Sequence, residues 1–263
     1  MQALPQHFLF FDTDFQAAIG VSIQGARMVN RIGLQMAGIT AVFDLDGTVA
    51  DTAGDLADAA NAALLSEGFA AAPVAAIVKS AGYGSRAMIS SALSAAGHSA
   101  DNAQMLRLAA KLVAHYEENI AHKSRLFPGF AEAARLLRAS GAKLVLCTNK
   151  RERLTLKLLS ALGIGDLFEA IAGGDTFPFH KPDPRHISEL VRRAGGVLSA
   201  AVMIGDSEAD IDAARAAGIP VVAVSFGYAS VLASELGADA VLNRFDELPA
   251  LIGALLTQTE PVP

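Results

Sequence analysis

Ile39-Thr40-Ala41-Val42-Phe43-Asp44-Leu45-Asp46-Gly47-Thr48 is the stretch on which the reading of this chain turns. Its first half is a short apolar run with β-branched residues, the pattern of a strand buried on both faces of a parallel sheet. Its second half puts two aspartates, two apart, where that strand ends. In a parallel sheet the ligand crevice lies beyond the carboxyl ends of the strands, so acids placed there are candidates for chemistry.

Downstream of Pro128-Gly129 the chain alternates. Helical patterns over 131–140, 153–162, 185–194 and 210–217 precede strand patterns at 143–147, 170–172, 201–204 and 220–225. Strands alternating with helices of this length predict βαβ units and a doubly wound, Rossmann-like parallel sheet. Residues 55–121 read almost wholly as helix instead, with apolar positions at helical spacing over 55–65, a Gly-rich turn at 81–86, and a long helix through 105–120. The expected organisation is an α/β core over 39–50 and 126–263, with residues 51–125 inserted as a helical cap. Residues 1–38 are expected to be a poorly ordered or loosely docked appendage.

Composition narrows the function. The 263 residues are 52% apolar and 18% charged, enough for a large core and too apolar for general disorder. The formal net charge is −6, with no basic stripe, which argues against nucleic acid as a partner. No run approaches the roughly 20 apolar residues of a membrane helix. The single cysteine, Cys147, forms no internal disulfide and sits in an apolar strand pattern, so it reads as a buried thiol in a cytosolic protein. Nothing in the sequence specifies an oligomeric state.

The strand ends converge. The first strand ends in Asp44 and Asp46, the second in Thr148 and Asn149, the fourth in Gly205 and Asp206 with Asp210 beyond, and His180-Lys181-Pro182 precedes a helix. Of two aspartates so placed, one can attack an electrophile while the other manages the leaving group's proton. The Gly47-Thr48 turn is expected to offer free backbone N–H groups to phosphate oxygens. A third carboxylate, Asp206, would complete an oxygen-only site suited to Mg²⁺, and Lys181 would offset phosphoryl charge. Taken singly, each motif is an ordinary turn, helix cap or loop charge. Their joint occurrence in order makes coincidence a poor explanation.

These motifs resemble those of the haloacid dehalogenase superfamily of phosphatases: Phe43-Asp44-Leu45-Asp46-Gly47-Thr48, Thr148-Asn149, Lys181-Pro182 and Gly205-Asp206-Ser207-Glu208-Ala209-Asp210. The resemblance runs from about residue 39 to the end. It implies a small phosphorylated metabolite as substrate and Asp44 as a nucleophile that forms an aspartyl-phosphate. Asp46 would be the general acid and then the base. Thr148 and Lys181 would hold the phosphoryl group, with Gly47, Thr48 and Asn149 also at the substrate. Mg²⁺ would be held by Asp44, Asp46 through its carbonyl, and Asp206, with Asp210 in support. Dehalogenases and phosphonate-cleaving members lack an aspartate at the position of Asp46, so its presence points to a phosphatase.

Within the superfamily, Asp51-Thr52-Ala53-Gly54-Asp55-Leu56, Thr148-Asn149-Lys150 and Gly173-Gly174-Asp175-Thr176 are most similar to phosphoglycolate phosphatases. Sugar-phosphate phosphatases and phosphosugar mutases share parts of these stretches and remain alternatives. A catalytically silent binding protein would tolerate loss of Asp44 or Asp206, and neither is missing. In the cap, Arg86 of Gly82-Tyr83-Gly84-Ser85-Arg86 is expected either to pair with a substrate carboxylate or to sit on the surface of an ordinary turn. Cap hinges are expected near 50–54 and 122–128.

Overall fold

The computed structural model describes residues 36–257. Most of the expected appendage lies outside them. Its last residues do not behave as one: Met36 is buried among the core side chains, and its N–H donates to the Ser140 carbonyl at 2.9 Å. An apolar side chain beside the sheet gains more from burial than from solvent, so the packed body includes Met36.

In chain order, β1 (Thr40–Phe43) is followed by β2 (Ala50–Asp51) and then by four helices: α1 (Ala53–Leu65), α2 (Val74–Val78), α3 (Ser85–Ala95) and α4 (Asn102–Glu118). β3 (Arg125–Leu126) returns the chain to the core. There α5 (Phe130–Ala139), β4 (Lys143–Cys147), α6 (Glu152–Leu162), β5 (Ala170–Ala172), α7 (Pro184–Arg193), β6 (Ala201–Gly205), α8 (Glu208–Ala217), β7 (Val221–Val224), β8 (Ala240–Leu242) and α9 (Leu248–Thr257) follow. The long helical stretch expected to reach residue 120 stops at Glu118. The intervening α2 and α3 were not separated by the sequence pattern.

Six strands form one parallel sheet in the order β5-β4-β1-β6-β7-β8. The chain winds outward in one direction from β1 and then in the other, so the order reverses beside β1. Ligands bind at that switch point in doubly wound sheets. Register places Phe43 level with Leu146 on one side and Ile204 on the other. Asp44, Cys147 and Gly205 therefore reach the same rim.

Alternation sorts the core into two layers. Ala41, Phe43, Leu144, Leu146, Val202 and Ile204 pack with α5, α6 and α9. Val42, Val145, Cys147 and Met203 pack with α7 and α8 on the opposite face. Both faces are covered, which is why these strands read as continuous apolar runs. The helical block has a core of its own, built around Leu56, Leu64, Ile89, Leu93, Leu108 and Tyr116. β2 and β3 pair antiparallel, Ala50 opposite Leu126, where the block leaves and rejoins the core.

Candidate active site

The turn after β1 sets the geometry. Asp44 is buried and anchored by its N–H to the Ile204 carbonyl, 2.9 Å. The Leu45 carbonyl then accepts from the N–H groups of Thr48, Val49 and Ala50, and Gly47 donates to the Ala50 carbonyl. This corrects one expectation. The amides of Gly47 and Thr48 are consumed inside the turn and are not free to cradle phosphate. Gly47 has φ +83°, and a Cβ there would overlap the Asp206 carboxylate. Both the backbone conformation and the close approach require glycine.

Lys181 brings the second group of residues together. Its Nζ lies 2.8 Å from Asp44 Oδ1 and 2.6 Å from Asp210 Oδ1. Asp210 caps α8: its Oδ2 accepts from Ser207 Oγ at 2.6 Å and from the N–H groups of Ser207 and Asp206. With both oxygens so engaged, Asp210 orients Lys181 and the Asp206 turn. Asp206 accepts from the Tyr228 N–H at 2.6 Å. Thr48, expected at the substrate, is fully buried, and its hydroxyl approaches Asp206 at 3.5 Å.

Asp44, Asp206 and Asp210 present carboxylate oxygens within 4.8 Å of one another. Burial, with repulsion from Asp210 and Asp46, outweighs the attraction of Lys181 and lifts the Asp44 pKa to about 6. Burial and repulsion from Asp44 and Asp210 push Asp206 well above the usual carboxylate range. Burial alone would lower Lys181, but its two acids prevail and raise it. A divalent cation fits this donor set. Four buried carboxylates, counting Asp46, crowd two ammonium groups, Lys181 and Lys150, and a hard cation with oxygen ligands would relieve the repulsion that raises Asp44 and Asp206.

Asp46 faces a different set. Lys150 Nζ lies 2.9 Å from each of its oxygens, and Thr52 Oγ1 donates to Oδ1 at 2.6 Å. The same ammonium sits 4.4 Å from the centroid of the buried Tyr116 ring of α4. The sequence reading assigned no role to Lys150, Thr52, Tyr116 or Tyr228. Tyr228 follows β7, at the same rim where the other strand ends place their acids.

Thr148 is buried at the end of β4, its Oγ1 accepting from the Lys150 N–H at 3.2 Å. Asn149 is a brace between the cap and the Lys181 loop: its Nδ2 donates to the carbonyls of Gly82 at 2.8 Å and Lys181 at 2.9 Å. That leaves its Oδ1 buried and without a partner. Arg86 is exposed, held to the neutral Asn102 Oδ1 at 2.9 Å, and lines a cavity of about 360 Å³ shared with Asp46, Lys150, Tyr116 and Asn149. Its guanidinium is thus not spent on an acid. Cys147 is the buried thiol expected, and burial pushes its pKa up to about 12.

The chain belongs to the haloacid dehalogenase-like hydrolases, whose family model matches residues 41–224. It is 48% identical over 207 residues to a phosphoglycolate phosphatase of Mesorhizobium japonicum, covering 79% of this chain and 91% of the relative. It is 43% identical over 220 residues to a phosphoglycolate phosphatase of Caulobacter vibrioides, covering 84% and 93%. Among solved structures, a predicted phosphoglycolate phosphatase from Haemophilus somnus superposes with a TM-score of 0.76 at 28% identity, covering 83% of this chain and 99% of that one. No described helix is long and apolar enough to cross a membrane.

Proposed function

We propose that the chain is a Mg²⁺-dependent phosphomonoester hydrolase whose substrate is 2-phosphoglycolate. The observation that carries this reading is the Asp44 carboxylate, buried beside Lys181 on a rim whose neighbouring cavity also holds Lys150 and Arg86. The relatives named above support the substrate. A two-carbon molecule with a phosphate at one end and a carboxylate at the other needs cations at both ends. Lys181 serves the first end and Arg86 the second.

Asp44 attacks phosphorus, the bond to the glycolate oxygen breaks, and an aspartyl-phosphate forms. Asp46 hands its proton to the departing oxygen. It then takes a proton from the water that attacks the acyl phosphate, which returns free phosphate and the Asp44 carboxylate. Asp44, Asp206 and the Asp46 carbonyl would hold Mg²⁺, which when bound offsets charge on the transferring phosphoryl group. Lys181 adds to that offset, with Thr148 beside it. Lys150 and Thr52 hold the Asp46 carboxylate in place.

Phosphate release from 2-phosphoglycolate and from a phosphomonoester with a neutral tail, each with and without Mg²⁺, tests the reading. Release from neither would refute it. Arg86→Ala is expected to lower selectivity for the carboxylate-bearing ester about tenfold or more. An unchanged ratio would remove the Arg86 assignment.

A further inference from the structure

Tyr228 reaches across the molecule to hold the backbone of Thr52, the residue at the start of α1. Thr52 occupies the N-cap of α1, where a hydroxyl ordinarily accepts an N–H from the first turn. Asp55, three residues on, completes the pattern of a reciprocal box. Neither side chain acts that way. Thr52 makes no capping bond and gives its hydroxyl to Asp46, while Asp55 accepts from Lys123 and Ser124. Two backbone amides, those of Thr52 and Ala53, are met from across the molecule, with Asp51 Oδ1 sharing the Ala53 N–H at 3.1 Å. Tyr228 Oη accepts from Thr52 N at 2.6 Å and from Ala53 N at 2.9 Å, and donates to Asp51 at 2.8 Å. The tyrosine is itself fixed by Asp206, which takes its N–H, and by Gly227, where a Cβ would overlap Asp206.

We propose that Tyr228 is a positioning residue for the proton transfer, acting on Asp46 through Thr52. By holding the Thr52 N–H, Tyr228 fixes the backbone from which the Thr52 hydroxyl orients the carboxylate. The inference rests on Asp46 being the leaving-group acid of the proposed function.

The test compares turnover of an alkyl ester, 2-phosphoglycolate, with that of 4-nitrophenyl phosphate, whose leaving group departs without a proton. General acid catalysis contributes about 10²–10⁴-fold, so disorienting the acid is expected to cost about tenfold in kcat for the alkyl ester. Tyr228→Phe should therefore lower the alkyl-to-aryl kcat ratio about tenfold with KM little changed. Thr52→Val should do the same, and the double variant should lose no more than Thr52→Val alone. Equal losses on both substrates, no loss on either, or a full further loss in the Thr52→Val background would each overturn the inference. A wild-type protein inert toward both substrates would refute the proposed function instead, which separates the two failures.

Discussion

Lys150 spans from the end of β4 to both carboxylate oxygens of Asp46, 2.9 Å from each, with the Tyr116 ring of the cap against its ammonium. Removing one member of a pair so enclosed strands the other. Lys150→Met is expected to destabilise the fold by about 3 kcal/mol. Adding Asp46→Asn should restore much of that loss, because the stranded charge is then gone. Chemical denaturation of the two single variants and the double variant measures it.

The crowding of carboxylates at the rim predicts linkage between fold stability and divalent cations. At a Mg²⁺ concentration about 100 times its Kd, binding to the native state alone adds about 2.7 kcal/mol. For a chain of this size that raises Tm by roughly 5–10 °C. Asp206→Asn should abolish most of the shift. Thermal unfolding with Mg²⁺ and with a chelator, in both proteins, checks this without any substrate.

His186 predicts a specific acid sensitivity. Its ring is buried in α7, with Nε2 3.2 Å from the Gly173 carbonyl. Burial, reinforced by the nearby Lys181 charge, lowers its pKa from 6.5 to about 4. The folded state holds it neutral, while the unfolded chain takes up a proton below about 6.5. Its contribution is therefore intact above that pH, falls away as pH drops, and levels off near 4. Between about pH 7 and about pH 4.5 the loss is on the order of 2–3 kcal/mol. In His186→Gln the stability difference between those two pH values should shrink by about that amount.

Asp55 predicts the strength of the cap's attachment. It accepts from Lys123 N at 2.8 Å, from Ser124 N at 2.8 Å and from Ser124 Oγ at 2.6 Å, tying the start of α1 to the strand that leaves the cap. Asp55→Ala leaves those donors without their acceptor, at an expected cost of about 2–3 kcal/mol. Trypsin cleavage at Lys123 or Arg125 should accelerate in the same variant.

The central strands β1, β4, β6 and β7 are legible in the sequence because burial on both faces writes itself as an apolar run, whereas the half-exposed edge strand β8 carries no such pattern and is not expected. Asp44, Asp206 and Lys181 were legible because strand ends and pre-helix loops are where a doubly wound sheet gathers its ligands. The cap was legible only in outline. Residues 74–95 are rich in alanine and serine, so the contrast between buried and exposed faces is weak there. The amides of Gly47 and Thr48 were misjudged because the tightness of their turn follows from the approach of Gly47 to Asp206, a long-range contact absent from local pattern. Lys150 and Tyr228 were passed over for a related reason: each gains its role from a partner on a distant element, Tyr116 for one and the start of α1 for the other.

The two-rung ribbon of β2 and β3 has a consequence for how this architecture can change. Because Ala50 and Leu126 face each other, the core backbone departs and returns at adjacent points. Seen from the sheet, the entire helical block is one surface loop. Lengthening such a loop is cheap, about 0.6 kcal/mol for each doubling. Insertions in that block away from Thr52, Gly82 and Tyr116, whose contacts reach Asp46, Asn149 and Lys150, thus leave the spacing of Asp44, Lys181 and Asp206 untouched. The carboxylate rim and the helical block beside it are free to diverge at different speeds.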